Sequence, residues 1–137
     1  MKGIVVDASI ALSWCFPDEQ TTLSFAVLDR LKAGEMALVP GFWSVEVLNS
    51  LLVGERRGRI APDQTQAFLL SIWALQPTFD HSSLEQVIGP VQKLCREYRL
   101  GPYDALYVEL AMRTLSPLAT LDQPQRDAAK AMGVQYL

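Results

Sequence analysis

Histidine and cysteine are scarce in this sequence, and their scarcity excludes several kinds of site. His81 is the single histidine, and because no nucleophile stands at a triad-like spacing from it, we expect it in a surface loop. Cys15 and Cys95 lie far apart without a CxxC pair, which argues against a zinc site or a disulfide framework. Both are expected to be reduced thiols, and a cytoplasmic location is expected for the same reason.

Long apolar runs and an excess of basic residues are also missing. No apolar stretch approaches the roughly 20 residues of a membrane-spanning helix, and the start MKGIVVDAS lacks the apolar core of a secretory signal. The net charge is −3, from 15 acidic and 12 basic residues, which taken alone argues against binding to nucleic acid. What the chain does have is the composition of a globular protein, 50% hydrophobic and 20% charged, and it predicts one domain over residues 1–137.

Short apolar runs alternate with helical periodicity along the chain. The runs predict strands at residues 4–6, 36–39, 78–80, 118–121 and 134–137. The periodic segments predict helices at residues 8–15, 21–32, 42–57, 62–75, 84–98, 102–113 and 124–132, with a loop at 17–19. Continuously apolar strands between helices are typical of a parallel sheet covered by helices, which is an α/β layer fold.

Four acidic residues stand at strand ends or helix starts among apolar neighbours. Asp7 ends the first strand, and Asp122 follows the strand predicted at 118–121. Glu46 and Asp104 lie in the first turns of two helices. Each has a structural alternative: Asp104 could favour the helix dipole, Asp122 could cap the last helix, and Glu46 could be solvated on its helix rim. Ligands of open parallel sheets bind outside the carboxyl ends of the strands, so the four acids are expected to converge there.

Carboxylates gathered at one place repel one another unless a cation lies among them. Two carboxylates about 4 Å apart, at an effective dielectric constant of about 20, repel by about 4 kcal/mol. No lysine or arginine stands within three residues of any of the four in sequence, so the pattern favours a hard divalent cation, Mg²⁺ or Mn²⁺. Such a site points to phosphoryl chemistry. Setting the four aside leaves 11 of the 15 acids against 12 bases, so a polyanionic substrate is not repelled once the cation is bound.

Four segments resemble the signature segments of PIN-domain ribonucleases, and within them the VapC-type toxins of toxin–antitoxin pairs. They are VVDASIALSW, FWSVEVLNSL, GPYDALYVELA and LATLDQPQRDAAKAMGV, and together they span residues 5–134. The resemblance implies a three-layer α/β/α sandwich with a short, mainly parallel central sheet. It implies an endoribonuclease that uses one or two Mg²⁺ or Mn²⁺ ions on RNA, as the toxin of a type II toxin–antitoxin system. A cognate antitoxin and homodimerisation are implied as well.

Matching these segments residue by residue gives the expected site. Asp7, Glu46 and Asp104 would be the inner metal ligands, and Asp122 would hold a second ion or its waters. Three polar residues are expected to support them: Ser9 through a hydrogen bond to a metal-bound water or carboxylate, Thr120 by orienting Asp122, and Asn49 by holding substrate or a carboxylate. Asn49 could equally be an ordinary exposed amide. The expected products are a 5′-phosphate and a 3′-hydroxyl.

Basic and apolar segments outside the four acids are candidates for contacts with RNA and with partner proteins. One basic group contains Arg56, Arg57 and Arg59, and a second contains Lys93, Arg96 and Arg99. Each could contact the RNA backbone or could be a solvated helix face. The segment AFLLSIWAL at 67–75 and the surroundings of Trp14 and Phe16 are candidates for a dimer or antitoxin interface, although plain core is the alternative.

Three rival functions place an acid after a first strand or keep the same fold. A haloacid dehalogenase-type phosphatase would need a second aspartate where this chain has Ser9. A receiver domain would need adjacent acids and a lysine at a late strand end, whereas Lys130 lies in a predicted helix. A PIN-fold scaffold that binds RNA or protein without cutting it is the remaining alternative.

Overall fold

The computed structural model describes residues 3–137. Within that range the strands are β1 (Ile4–Val6), β2 (Ala37–Pro40), β3 (Thr78–Asp80) and β4 (Leu118–Ala119). The helices are α1 (Ala8–Cys15), α2 (Thr22–Lys32), α3 (Trp43–Arg56), α4 (Pro62–Ala74), α5 (Leu84–Gln86), α6 (Gln92–Tyr98), α7 (Pro102–Thr114) and α8 (Gln123–Ala131). A 3₁₀ turn covers Pro17–Glu19, and a π-helical segment covers Val87–Val91.

The four strands form one parallel sheet in the order β3-β2-β1-β4. All residues of β1, β2 and β4 are buried, which agrees with their continuously apolar sequences. The edge strand β3 is only partly buried, and Phe79 at its middle is 40% exposed. The sequence-based prediction of an α/β fold with a parallel sheet is therefore confirmed. All four strands run in one direction, so their carboxyl ends lie at the same edge of the sheet.

Helices pack around the sheet to give the three-layer sandwich. Helix α7 packs on β1 and β2, and α1 packs on α2 and α3. The core is one apolar cluster in which residues of β1 and β2 meet buried side chains of the helices, among them Ile10, Leu51 and Leu110. In the described part of the chain, no helix is both long enough and apolar enough to cross a membrane.

Two predicted elements differ from the structure in kind. The helix predicted at 84–98 is divided by the π-helical segment Val87–Val91, which contains Pro90. Proline lacks an amide hydrogen and crowds the carbonyl four residues before it, so the regular helical register cannot continue through it. The strand predicted at 134–137 is reduced to a single bridge between Leu118 and Tyr136. Its partner β4 has only two residues and offers no room for a longer ladder.

The strand β4 ends two residues earlier than predicted, and side chains explain why. The amide of Leu121 donates to Ser9 Oγ at 3.1 Å, and the amide of Asp122 donates to Thr120 Oγ1 at 3.0 Å. These amides are bonded to hydroxyl groups instead of to a neighbouring strand, so the ladder stops at Ala119. The other boundaries agree with the predictions to within one or two residues, and the loop predicted at 17–19 is a 3₁₀ turn.

Candidate active site

Asp7 lies at the end of β1, where it also caps the following helix. Its carboxylate Oδ2 accepts a hydrogen bond from the Ser9 amide at 3.0 Å, so it serves as the N-cap of α1. Its amide still bonds to the Ala119 carbonyl at 3.0 Å, which ties it to the sheet. Asp7 is only 6% exposed. A carboxylate this deeply buried needs compensation, and the helix cap supplies part of it.

Glu46 lies on the first turn of α3 and is held by a buried tyrosine. The Tyr107 hydroxyl donates to Glu46 Oε1 at 2.6 Å. Burial raises the pKa of the Glu46 carboxyl, the Tyr107 hydrogen bond opposes this rise, and the charges of Asp7 and Asp104 add to it. Burial and the charges of Asp7 and Glu46 raise the pKa of Tyr107 as well, so this side chain remains a protonated donor. Glu46, Asp7 and Asp104 are therefore electrostatic neighbours.

Asp104 lies in the first turn of α7, partly buried beside the other acids. Burial raises the pKa of the Asp104 carboxyl, and the charges of Asp122 and Asp7 raise it further. Asp122 is the N-cap of α8, because its Oδ2 accepts from the Gln125 amide at 3.0 Å. The structural alternatives considered for these two residues, a place in a first helical turn and a helix cap, are thus real features of the fold. They coexist with the clustering of the charges.

No ion pair of the described residues involves any of the four acids. The contrast with another acid at a strand end is informative: Asp80, which closes β3, is paired with Arg113 at 2.6 Å. Arg113 also bonds to Glu109 at 2.8 Å, so one guanidinium serves both of these acids. The four site carboxylates have no such partner, and their charges are offset only by neutral donors.

The oxygen atoms of these residues are of the kind that binds a hard divalent cation, although the side chains do not converge closely enough to coordinate one ion together. Within residues 3–137, no three or more acidic, histidine or cysteine side chains are arranged closely enough to hold a metal ion together. Two of the four carboxylates, those of Asp7 and Asp122, direct an oxygen at a helix amide. Carboxylate oxygens without histidine or cysteine are nevertheless the donor set of Mg²⁺ and Mn²⁺.

Two supporting residues escaped the sequence-based prediction of the site. Gln125 donates through Nε2 to Asp7 Oδ1 at 3.2 Å, and Tyr107 holds Glu46. In the sequence, Tyr107 is one of several apolar residues near Asp104, and nothing marks it as a partner of Glu46. Gln125 stands three residues after Asp122, which is a capping-box spacing. That spacing would have predicted a bond back to the cap residue, whereas the side chain turns to Thr120 and Asp7 instead.

Ser9 and Thr120 form hydrogen bonds near the acids, whereas Asn49 is exposed. The Ser9 hydroxyl accepts from the Leu121 amide, and its own amide is what bonds to the Asp7 carboxylate. The Thr120 hydroxyl accepts from the Asp122 amide and donates to Gln125, and its orienting role stays a prediction. Asn49 is exposed on α3 one turn after Glu46.

The basic residues differ in whether their charges are already paired with acidic side chains. Arg59 bonds to Asp18 at 2.7 Å and to Glu19 at 3.0 Å, and its guanidinium stacks over the Phe16 ring at 4.2 Å. Its charge is therefore already neutralised, which weakens it as an RNA contact. Arg56 and Arg57 are exposed at the end of α3.

In the second basic group, Lys93 is 3.9 Å from Glu97, and Arg96 bonds to the Gln92 side chain. His81 is exposed, as expected. Phe16 is 4% exposed and belongs to the core, which is the alternative considered for its segment.

A model of the PIN domain family matches residues 4–131 of this chain. The chain therefore belongs to the PIN domain family, and the family resemblance of its sequence is confirmed. The curated protein Ribonuclease VapC3 from Pyrobaculum aerophilum is 26% identical over 120 residues, which cover 88% of this chain and 89% of that protein. The crystal structure of PAE2754 from Pyrobaculum aerophilum matches the fold with a TM-score of 0.73 at 20% identity, covering 98% of this chain and 83% of that one.

Proposed function

We propose that this protein is a metal-dependent endoribonuclease that hydrolyses RNA phosphodiester bonds, and that it is the toxin of a type II toxin–antitoxin system. The observation that carries the proposal is the group of four acids at one sheet edge, unpaired with any basic residue in residues 3–137. Burial raises the pKa values of Glu46 and Asp104, and neighbouring charges raise them further: those of Asp7 and Asp104 act on Glu46, and those of Asp122 and Asp7 act on Asp104, which supports the closeness of the acids. Membership of the PIN family and the name of the curated relative agree with the proposal.

Asp7, Glu46 and Asp104 are the proposed inner ligands of Mg²⁺ or Mn²⁺, and Asp122 is proposed to hold a second ion or its waters. Such a cation supplies Lewis acidity toward a phosphoryl oxygen and lowers the pKa of bound water. The chain's own residues hold the carboxylates in position. Tyr107 fixes Glu46 through its hydroxyl, and the Ser9 amide fixes one oxygen of Asp7.

RNA is proposed to reach the site across the exposed ends of α3 and α7. Arg56 is the last residue of α3 and Arg57 follows it, ten and eleven residues after Glu46 and roughly 15 Å away at the helical rise. They are exposed and suited to phosphate contacts. Tyr103, adjacent to Asp104, is 62% exposed and offers a face on which an unpaired base can stack. This arrangement favours single-stranded RNA.

The proposed protein partners are a second copy of this chain and a cognate antitoxin. Helix α4 carries Leu70 at 50% exposure and Trp73 at 74% exposure, which leaves a large apolar surface uncovered. A groove of about 440 Å³ beside it is lined by Trp43, Val47, Ile72 and Phe79, among others, and by none of the four acids. We propose that the segment 67–75 contributes to these interfaces, and that the chain acts as one domain in the cytoplasm. Cys15 and Cys95 are free thiols, which is compatible with that location.

The first test is thermal unfolding with and without Mn²⁺, because a cleavage assay with the wrong RNA gives no answer. Mn²⁺ at 100 times its dissociation constant should add about 2.7 kcal/mol to the free energy of unfolding. We expect the wild type to respond and Asp7→Asn to respond much less. Asp29→Asn, an exposed aspartate on α2, is the matched control and should behave as the wild type. No response of the wild type at millimolar Mn²⁺ would contradict the metal site.

A non-cutting PIN-fold scaffold is the second candidate, because no three of the acids are arranged around one point in residues 3–137. The two functions differ in what Asp104→Asn does to a cellular RNA pool. A nuclease loses Mn²⁺-dependent cleavage in this variant while its RNA binding persists. A scaffold shows no cleavage in the wild type, and its RNA or protein binding is unchanged by the substitution.

A further inference from the structure

Gln125 is a polar side chain buried completely beside the acids. It occupies the third position of α8 and is 0% exposed, which makes it one of the largest fully buried side chains of the described residues. An amide removed from water is costly unless both of its ends are hydrogen-bonded. Its surroundings therefore decide whether it is tolerated in that position or is needed there.

The amide has one orientation that satisfies every neighbour. The Thr120 hydroxyl accepts from the Asp122 amide, so its own proton is free to donate to Gln125 Oε1, at 2.6 Å. The opposite end of the amide, Nε2, faces Asp7 and Asp104. Reversing the amide would direct Oε1 at two carboxylates, which is repulsive.

The nitrogen of this amide is shared between two site acids. Nε2 is 3.2 Å from Asp7 Oδ1, 3.4 Å from Asp104 Oδ1 and 3.4 Å from the Asp104 carbonyl oxygen. Two amide hydrogens thus face three acceptors. Asp7 belongs to the end of β1 and Asp104 to the start of α7, so the contact joins the sheet to the helix that packs on it. A neutral donor at this point attracts both carboxylates and, unlike a lysine or arginine, leaves their negative charges available to a cation.

We infer that Gln125 is a positioning residue of the metal site: it holds Asp7 and Asp104 at a fixed separation and so sets the affinity for the cation. The inference rests on the proposed function, because it concerns the same carboxylates. Groups that hydrogen-bond to metal ligands typically change metal affinity by about 10- to 100-fold when they are removed. Thr120 acts on the carboxylates only through Gln125, since it orients the Gln125 amide and does not bond to Asp7.

The test measures Mn²⁺ binding directly, by the paramagnetic resonance signal of free Mn²⁺ during titration of the whole chain. Gln125→Met keeps the length of the side chain and removes its donor. We expect its dissociation constant for Mn²⁺ to rise by about tenfold or more. Gln123→Met is the matched control, because Gln123 lies on the same helix, is exposed and, among the described residues, its side chain bonds only to Asp127. Its Mn²⁺ affinity should equal that of the wild type.

A second variant covers the case in which Gln125→Met does not fold. Gln125→Glu keeps the shape and the acceptor for Thr120 but replaces the donor by a like charge. Its unfolding midpoint in EDTA should fall below that of the wild type, and Mn²⁺ should raise it by more than it raises the wild type. Folded Gln125→Met that binds Mn²⁺ within twofold of the wild type, or a Gln125→Glu protein with the wild-type response, would overturn the positioning role alone. Absence of Mn²⁺ binding by the wild type would overturn the metal site and this inference together.

Discussion

At the scale of single residues, Tyr107 is bonded directly to a proposed ligand. Tyr107→Phe removes the hydroxyl that donates to Glu46 at 2.6 Å and leaves the buried ring in place. A hydrogen bond to a charged group contributes about 1.5 to 3 kcal/mol when buried, so for the half-buried Glu46 we expect a loss of about 1 to 2 kcal/mol. Urea unfolding at neutral pH measures it.

The control for that substitution is Tyr98→Phe. Its hydroxyl contacts the sulfur of Met132 at 3.2 Å, and sulfur is a weak acceptor, so the loss of stability should be smaller. Equal losses in the two variants would mean that the Tyr107–Glu46 bond contributes no more than an ordinary tyrosine hydroxyl.

The raised pKa values of Glu46 and Asp104 make a prediction about pH. A carboxyl whose pKa is higher in the folded state binds protons more tightly there, so the free energy of unfolding falls as pH rises through that raised pKa. The stabilising contribution of such a carboxyl to the free energy of unfolding is fully present at pH values below its ordinary pKa and is lost at pH values above its raised pKa. Metal-free protein should therefore lose stability relative to Asp104→Asn as pH rises from about 4 towards neutrality, in urea unfolding with EDTA.

Added Mn²⁺ should cancel that relative loss in the wild type and leave Asp104→Asn little changed. A difference between the two proteins that stays constant across the pH range would show that neither burial nor neighbouring charges raise the pKa of the Asp104 carboxyl.

At the scale of elements, α3 approaches the segment after α1 through a glycine. A Cβ at Gly54 would lie 2.9 Å from Phe16 Cζ and 3.2 Å from Ile60 Cγ2. Phe16 is buried beneath Arg59 and has little freedom to move. Gly54→Ala should thus be destabilising by about 1 to 3 kcal/mol, even though alanine favours a helix by about 1 kcal/mol. Chemical denaturation measures it.

Gly89 supplies the comparison for this prediction. A Cβ there meets nothing within 4 Å among the described atoms, so Gly89→Ala should be neutral or slightly stabilising. Should Gly54→Ala prove as stable as Gly89→Ala, the close packing of α3 on Phe16 would not be needed by the fold.

Element boundaries were predictable where the local sequence decides them. Capping residues and prolines begin the helices near their predicted starts, as Thr21 does for α2 and Pro62 for α4. Prediction failed where a bond from a distant residue or a proline overrode the local pattern. Pro90 converts part of a helix to a π-helical segment, and Ser9 takes the amide that would have extended β4.

At the scale of the whole molecule, the exposed apolar surface of α4 predicts association. Leu70→Asp combined with Trp73→Ser should shift the protein from dimer to monomer in sedimentation velocity at micromolar concentration. The unfolding midpoint of the monomer should change little on this account, because both side chains are exposed in the single chain. Leu84→Asp alters a residue that is 73% exposed on α5 and serves as the control. An unchanged dimer, or a monomeric wild type, would exclude this surface from self-association.

The sequence by itself determined the parallel α/β fold, the burial of β1, β2 and β4 and the placement of acids at strand ends and helix starts, because these follow from local periodicity. Only the tertiary structure decided which charges are neutralised. Arg113 forms an ion pair with Asp80, and Arg59 forms one with Asp18. Asp7 and Glu46 accept hydrogen bonds from neutral donors instead.

The physical reason is separation along the chain. Tyr107 and Glu46 are 61 residues apart, and Gln125 and Asp7 are 118 apart. Hydrogen bonds act over about 3 Å and leave no periodic trace in the sequence, so such partners are fixed only when the sheet and helices bring them together.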